Sequence, residues 1–177
     1  MSRITPVSNP QGEAAATLNA IKQKIGMVPN LYATVAHSST VLNAYLAFSE
    51  ALNQGRLTAK QRELIALAVG QANACQYCLS AHTMISRSTG LSDEQIITAR
   101  LGSAENALDN ALVKLAVSLV KQRGVITDEQ LSEARTQGVD EGLVFEVLAQ
   151  VSANTFTNYA NHVAGTDIDF PKVNVQL

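Results

Sequence analysis

The sequence has little charge of either sign and no long apolar run. Its 177 residues carry a formal net charge of −2, and 16% of them are charged. A nucleic-acid-binding surface needs clustered basic residues, and a membrane-surface helix needs a basic amphipathic face, so neither is expected. No apolar stretch approaches the length of a membrane span. Residues 1–8 lack the apolar core of a signal peptide, and we therefore expect a cytoplasmic protein without nucleic-acid or membrane partners.

The sequence also lacks the alternation of apolar and polar residues that marks β-strands. Apolar residues instead recur at helical spacing, most clearly over 11–25, 104–123 and 141–163, with a shorter helical segment over 31–36. No low-complexity linker divides the chain. The sequence therefore predicts an all-α fold of seven or eight helices in a single domain over residues 1–177.

Several helix starts are marked by specific residues. Thr58, Ser92 and Thr127 are each followed three positions later by Gln, which is the pattern of a capping box. Residues 1–10 contain two of the four prolines and indicate an extended arm. From Gly165 onward the tail shows no clear element.

Cysteine is scarce: the chain has two, and they are three positions apart. Cys75 and Cys78 form a C-x-x-C motif, and His82 follows four positions later. On a helix that begins near Cys75 these side chains share one stripe, and the sulfurs lie at the helix N-terminus, where the dipole stabilises a thiolate. Glu63, on a separate preceding helix, is expected to fold back onto this stripe. In a reducing compartment a thiol pair is catalytic or metal-binding rather than a structural disulfide, and this set indicates a redox or peroxide-reducing centre.

Each residue also has a simpler interpretation. The two cysteines and His82 are three of the four ligands that a structural zinc site requires, although one helix places them poorly for that purpose. His82 alone fits a buried core histidine. Glu63 alone fits an exposed helix position, although its helix is apolar nearly all round and a buried carboxylate needs a partner.

A second polar set recurs near the C-terminus. Asn154, Asn158 and His162 follow each other at four-residue steps and share one face of the last helix. They form either a buried polar network or interface, or a lining of the thiol site. Tyr45, Phe48 and Phe156 are expected in the core.

The spacing of Glu63, Cys75, Cys78 and His82 resembles the signature of the AhpD-like alkylhydroperoxidases, which belong to the carboxymuconolactone decarboxylase superfamily. The resemblance extends over about residues 25–171 and includes the segments 28–31, 154–162 and 169–171.

This resemblance implies an all-helical subunit with a redox-active thiol pair and without metal or haem cofactor. It assigns Cys78 as the thiol that attacks the peroxide and Cys75 as the thiol that resolves the sulfenic acid. Glu63 and His82 take the places of the proton relay. One departure is Tyr77, which stands where AhpD has a histidine and is a poor base at neutral pH.

The resemblance also implies partners: an alkyl or hydrogen peroxide as substrate, an external dithiol of lipoyl-bearing or thioredoxin-like kind as reductant, and assembly into a dimer, trimer or hexamer. Wide apolar helix faces in a short chain favour such a homo-oligomer as well. Two other functions use the same thiols: general thiol–disulfide exchange, and non-catalytic redox sensing by a scaffold.

Local geometry gives two answers on which cysteine attacks. Cys78 is one helical turn from His82, whereas Cys75 is two turns away, about 10 Å along the axis. Cys75 is nearer the helix start, and the dipole there favours its thiolate. We favour Cys78, because the leaving group needs a proton that a histidine can supply and a dipole cannot.

Overall fold

Helices and their connecting loops account for the structure, a computed structural model that describes residues 2–177. Nine helices lie in this part of the chain: α1 Gly12–Ile25, α2 Asn30–Val35, α3 Ser39–Asn53, α4 Ala59–Ala72, α5 Gln76–Ser88, α6 Asp93–Arg100, α7 Ala107–Lys121, α8 Asp128–Thr136 and α9 Glu141–Ala164. The all-α prediction is confirmed. The predicted count of seven or eight is too low, because the six-residue α2 is a helix of its own, with Pro29 at its N-cap and Ala36 at its C-cap.

The predicted helix starts form as hydrogen-bonded caps. Thr58, Ser92 and Thr127 each complete a capping box with the Gln three positions later. Helix α7 begins a few residues after the predicted position, because Asn106 caps it by accepting a hydrogen bond from the backbone N–H of Asp109 at 2.9 Å. Side-chain caps of this kind satisfy backbone groups that have no partner within the helix.

Helix α4 lies at the centre of the fold. It packs against α5, α6, α7 and α9, and every residue from Leu64 to Gly70 is buried. One apolar cluster joins α4 to α7 and α9, and a second joins α4 to α6 and α7. Because α4 is surrounded in this way, the polar side chain of Glu63 near its start has to find a partner on a neighbouring helix.

The C-terminal tail contains no helix, as predicted, but it follows a fixed course across α5 and α6. Val173 donates its backbone N–H to the hydroxyl of Ser80 at 3.1 Å. The Arg100 guanidinium donates to the carbonyls of Asn174 at 2.6 Å and Val175 at 3.2 Å. Phe170 packs edge-on against the Tyr77 ring, with 5.5 Å between centroids. The tail therefore covers the start of α5.

The prediction of a core position is wrong for Phe48 and Phe156, which are 41% and 38% exposed. Both line an open apolar cavity between α3 and α9, together with the half-buried Tyr45, because these helices leave that face uncovered.

In the span from residue 2 to residue 177, we find no helix whose length and apolarity would let it cross a membrane.

Candidate active site

A tight turn between α4 and α5 places both cysteines. Cys75 donates its backbone N–H to the carbonyl of Gly70 at 2.9 Å, and the residue between the helices, Ala74, has a left-handed φ of 52°. A left-handed alanine costs about 1–2 kcal/mol, and such strained residues persist where the surrounding structure fixes them. The chain therefore enters α5 directly at Cys75.

Cys75 is the N-cap of α5, and its side chain performs the capping. Its Sγ accepts a hydrogen bond from the backbone N–H of Cys78 at 3.3 Å. The two sulfurs thus lie at the helix start, as the sequence predicted. Both thiols are free and deeply buried, with 0% of Cys75 and 3% of Cys78 exposed. Leu31 and Phe170 are among the apolar residues that enclose them.

Glu63 and His82 form an ion pair beside this helix. His82 Nδ1 lies 2.9 Å from Glu63 Oε2, and the Ser86 hydroxyl donates to the same oxygen at 3.4 Å. The side chains of His82 and Glu63 are 22% and 13% exposed. Burial alone lowers the pKa of His82, but the charge and hydrogen bond of Glu63 outweigh burial and raise that pKa above its ordinary value. The carboxylate thus favours the protonated imidazole.

The surroundings of the thiol pair favour the thiolate on Cys78 over the thiolate on Cys75. A hydrogen bond from the Cys75 side chain is the largest influence and, with the charge of His82 and the amides of Asn161 and Asn158, lowers the pKa of Cys78 to about 7 against the opposing effect of burial. The same hydrogen bond, followed by burial, raises the pKa of Cys75 well above its ordinary value. The helix dipole and the Cys78 backbone N–H favour a thiolate on Cys75, and the Asn161 amide acts on both sulfurs. The charge of His82 and the Asn158 amide favour the thiolate of Cys78.

Asparagines of α9 complete the surroundings of Cys78. Asn161 donates its Nδ2 to Cys78 Sγ at 3.3 Å, and Asn73 at the end of α4 donates to Asn158 Oδ1 at 2.8 Å. Asn158 is 0% exposed and Asn161 is 4% exposed. His162, which the sequence analysis placed on this face, is exposed instead.

The helical period explains why sequence reasoning missed Asn161. A regular step of four residues drifts around the helix, because a turn contains 3.6 residues. After Asn154 and Asn158, the next position on the same face is seven residues from the first, which is Asn161 rather than His162. Strict application of the helical period would have found it.

Two further predicted residues lie near the site, and Tyr77 belongs to the buried cluster that contains both cysteines. Asn154 donates to the carbonyl of Gln150 at 2.9 Å within α9 and lines a cavity of about 110 Å³ together with Glu63 and His82. The Tyr77 hydroxyl accepts the backbone N–H of Leu31 at 3.2 Å. Tyr77 therefore joins α5 to α2, and burial is the main cause that raises its pKa.

Metal ligands do not converge at this site. Among residues 2–177, no three side chains of the His, Cys, Asp and Glu types form a group that would hold a metal ion.

Comparison with known proteins agrees with this geometry. Residues 39–112, which contain Glu63 and both cysteines, match the sequence model of the Carboxymuconolactone decarboxylase family. A search of curated proteins gave no match.

Solved structures share the fold at low sequence identity. A peroxidase-related protein with an alkylhydroperoxidase AhpD core from Ralstonia eutropha JMP134 is 23% identical with a TM-score of 0.81, over 95% of this chain and 92% of that one. A peroxidase-related protein from Silicibacter sp. TM1040 is 21% identical with a TM-score of 0.81, over 93% and 91%. The debrominase Bmp8, in complex with 2,3,4-tribromopyrrole, is 17% identical with a TM-score of 0.79, over 94% and 91%. The family match over residues 39–112 and the shared fold together confirm the resemblance drawn from the sequence, and the chain has the AhpD-like fold.

Proposed function

We propose that the chain is a thiol-dependent peroxidase that reduces alkyl or hydrogen peroxides through Cys78 and Cys75. The observation that carries the proposal is the arrangement of Cys78, whose pKa is lowered to about 7, near His82, whose pKa is raised by its contact with Glu63 at 2.9 Å. A thiolate is the nucleophile that attacks a peroxide oxygen, and the alkoxide that leaves needs a proton. Cys78 supplies the thiolate and His82 supplies the proton.

The first half of the cycle oxidises Cys78. Its thiolate attacks one peroxide oxygen, a sulfur–oxygen bond forms and the oxygen–oxygen bond breaks. Sulfur loses two electrons to the peroxide and becomes a sulfenic acid. His82 gives its proton to the departing alkoxide or hydroxide, and Glu63 favours the protonated form of His82. Because Glu63 binds Nδ1, Nε2 is the ring nitrogen that serves proton transfer.

The second half forms and then reduces a disulfide. The thiol of Cys75 attacks the sulfenic sulfur of Cys78, and water leaves with the sulfenic oxygen. An external dithiol then restores both thiols by exchange through a mixed disulfide. The cycle suits a reducing compartment such as the cytoplasm, where free thiols are maintained.

Burial of the thiols favours a peroxide over a protein disulfide as oxidising substrate. Exposed fractions of 0% for Cys75 and 3% for Cys78 keep both sulfurs from direct contact with the surface of another protein. A small peroxide needs less opening of the tail than a protein disulfide needs. The same tail has to move before a bulky reductant reaches the disulfide.

The test is steady-state consumption of cumene hydroperoxide with dihydrolipoamide as the electron donor. We expect turnover by the wild-type protein and none by Cys78→Ser. Disulfide exchange with the dithiol but no peroxide consumption would assign general thiol–disulfide exchange instead. Reversible oxidation without turnover would assign redox sensing. Debromination of 2,3,4-tribromopyrrole, measured in parallel, tests whether the chemistry named for Bmp8 extends to this chain.

A further inference from the structure

We propose that Asn161 is a catalytic residue of the thiol centre. Its side-chain amide holds the Cys78 sulfur as a thiolate, and its oxygen, together with the Asn158 amide nitrogen, binds the sulfenic hydroxyl that oxidation creates. The thiolate part requires no assumption about the substrate. The sulfenic acid part rests on the proposed peroxidase function.

The donor contact is direct and buried. Asn161 Nδ2 lies 3.3 Å from Cys78 Sγ, and this contact joins α9 to α5 across 83 positions of sequence. An N–H bond to an anion is stronger than one to a neutral thiol, so the contact stabilises the thiolate more than the thiol. With 4% of Asn161 exposed, water is largely excluded from this contact.

Asn158 presents a second amide to the same sulfur. Its Oδ1 is engaged by Asn73 Nδ2 at 2.8 Å, and this contact fixes the orientation of the Asn158 amide. The Asn158 amide lowers the pKa of Cys78 and so favours its thiolate. The Nδ2 of Asn158 has no partner in hydrogen-bond geometry among residues 2–177. Asn73 is thus a positioning residue that acts through Asn158.

Two buried polar atoms of these asparagine amides are left over from these contacts. Over residues 2–177, Asn158 Nδ2 and Asn161 Oδ1 are buried without a hydrogen-bond partner. Unpartnered buried groups are costly and call for an explanation. They are one donor and one acceptor, and the hydroxyl of a sulfenic acid is likewise both a donor and an acceptor.

The oxidation step supplies that hydroxyl. The Cys78 thiolate and a hydroperoxide give Cys78–SOH and an alkoxide: the sulfur–oxygen bond forms, the oxygen–oxygen bond breaks, and sulfur gives two electrons to the peroxide. The alkoxide takes its proton from His82. The sulfenic O–H then donates to Asn161 Oδ1, and its oxygen accepts from Asn158 Nδ2.

Other titratable groups also influence the ionisation of Cys78, and a test has to keep them the same in all the proteins that it compares. These groups are Cys75 at the helix cap, Tyr77 and His82 on α5, and Tyr45 on α3. We therefore place every variant in the Cys75→Ser protein. Serine is a good N-cap residue, so the cap that Cys75 provides is retained, and Cys78 becomes the only thiol.

The experiment measures the pKa of Cys78 from thiolate absorbance and from the pH dependence of iodoacetamide alkylation. Asn161→Leu keeps the volume and removes the donor, and we expect the pKa to rise by about one unit. At a pH near the original pKa, the thiolate fraction then falls from about one half to about one tenth. Asn161→Asp replaces the donor by an anion, and we expect a larger rise.

The matched control is Thr157→Val on the same helix. Thr157 is buried, and its hydroxyl donates to the carbonyl of Asn154 at 2.9 Å, away from the thiols. We expect the control to leave the pKa of Cys78 unchanged. An equal pKa in the parent and Asn161→Leu proteins would overturn the thiolate role, and so would an equal rise in the control.

A second measurement leaves Asn161 in place and requires only that the Cys75→Ser protein folds. In the Cys75→Ser protein, the side-chain amide resonance of Asn161 should shift with the titration of Cys78. The absence of such a shift overturns the proposal. Since alkylation and NMR use no peroxide, the thiolate role survives even if peroxide turnover is not observed.

The sulfenic acid role has its own readout. After one equivalent of hydroperoxide, with thiolate fractions matched by pH, dimedone added at increasing delays measures the lifetime of Cys78–SOH. We expect a shorter lifetime in Asn161→Leu than in Thr157→Val. Equal lifetimes overturn this part while leaving the thiolate role and the peroxidase function standing.

Discussion

Replacing Glu63 by glutamine removes the charge that raises the pKa of His82 and preserves the shape of the side chain. The side chains of Glu63 and His82 are 13% and 22% exposed, so their contact lies between a surface pair and a buried one. Hydrogen bonds to charged groups contribute about 1.5–3 kcal/mol. We therefore expect Glu63→Gln to lower the pKa of His82.

The effect on rate follows from the protonated fraction of His82. At a pH above the pKa of His82 in both proteins, that fraction is about 10-fold smaller for every pH unit by which the pKa falls. We expect peroxide turnover in mildly alkaline buffer to fall about 10- to 100-fold, which corresponds to the loss of about 1.5–3 kcal/mol and does not exceed what general acid catalysis contributes. The alkaline limb of the pH–rate profile should move to lower pH, because the acid form is lost at a lower pH in the variant.

The Glu63–His82 pair should also make the free energy of unfolding depend on pH. The folded-state pKa of His82 is raised above its unfolded value of about 6.5. The stabilisation from the pair is therefore complete below about pH 6.5 and is lost as the pH rises through the folded-state pKa. The difference in free energy of unfolding between wild type and Glu63→Gln should shrink over that rise, as measured by urea denaturation.

Glu50→Gln is the matched control. Glu50 pairs with Lys24 at 3.3 Å on the surface, where the side chains are 59% and 75% exposed. We expect no change in the pH–rate profile, because exposed pairs contribute little. An alkaline limb in Glu63→Gln that coincides with that of the wild type and of this control would refute the role of Glu63.

Three further outcomes are expected. Sedimentation at micromolar concentration should show a homo-oligomer, because α9 leaves Phe145, Tyr159 and Val163 with 69%, 56% and 65% of their surface exposed; a monomer alone would contradict this. Elemental analysis of protein purified without chelator should find far less than one zinc per chain, whereas stoichiometric zinc that is lost in Cys75→Ser would overturn the redox interpretation. Tyr77→Phe should lower the free energy of unfolding by about 1 kcal/mol, because it removes the hydroxyl contact to Leu31; an unchanged urea midpoint would show that the contact contributes nothing.

The sequence predicted the features that depend only on residues close together in the chain, namely helix starts and spacing within one helix. The capping boxes at Thr58, Ser92 and Thr127 form because the cap and its partner are three residues apart and need no distant contact. The position of Cys75 at a helix start follows from the same kind of signal. Spacing within one helix also placed Cys78 and His82 on neighbouring turns.

Long-range contacts were harder to predict. The pairing of Glu63 with His82 was expected from the resemblance. The contact of Asn161 with Cys78 depends on which face α9 turns toward α5, and a spacing of four residues predicted His162 at that face instead of Asn161. The course of the tail over Tyr77 depends on backbone and side-chain bonds to α5 and α6. Those bonds join residues too far apart in sequence for any periodic pattern to reveal.

The most direct test of the account is to locate the sulfenic acid after a single turnover. One equivalent of hydroperoxide is added to Cys75→Ser and, separately, to Cys78→Ser, dimedone is present throughout, and mass spectrometry maps the adduct. The account predicts an adduct on Cys78 in the first protein and no reaction in the second, because His82 and Asn161 act on Cys78. An adduct on Cys75 in the Cys78→Ser protein would reverse the assignment of the attacking thiol.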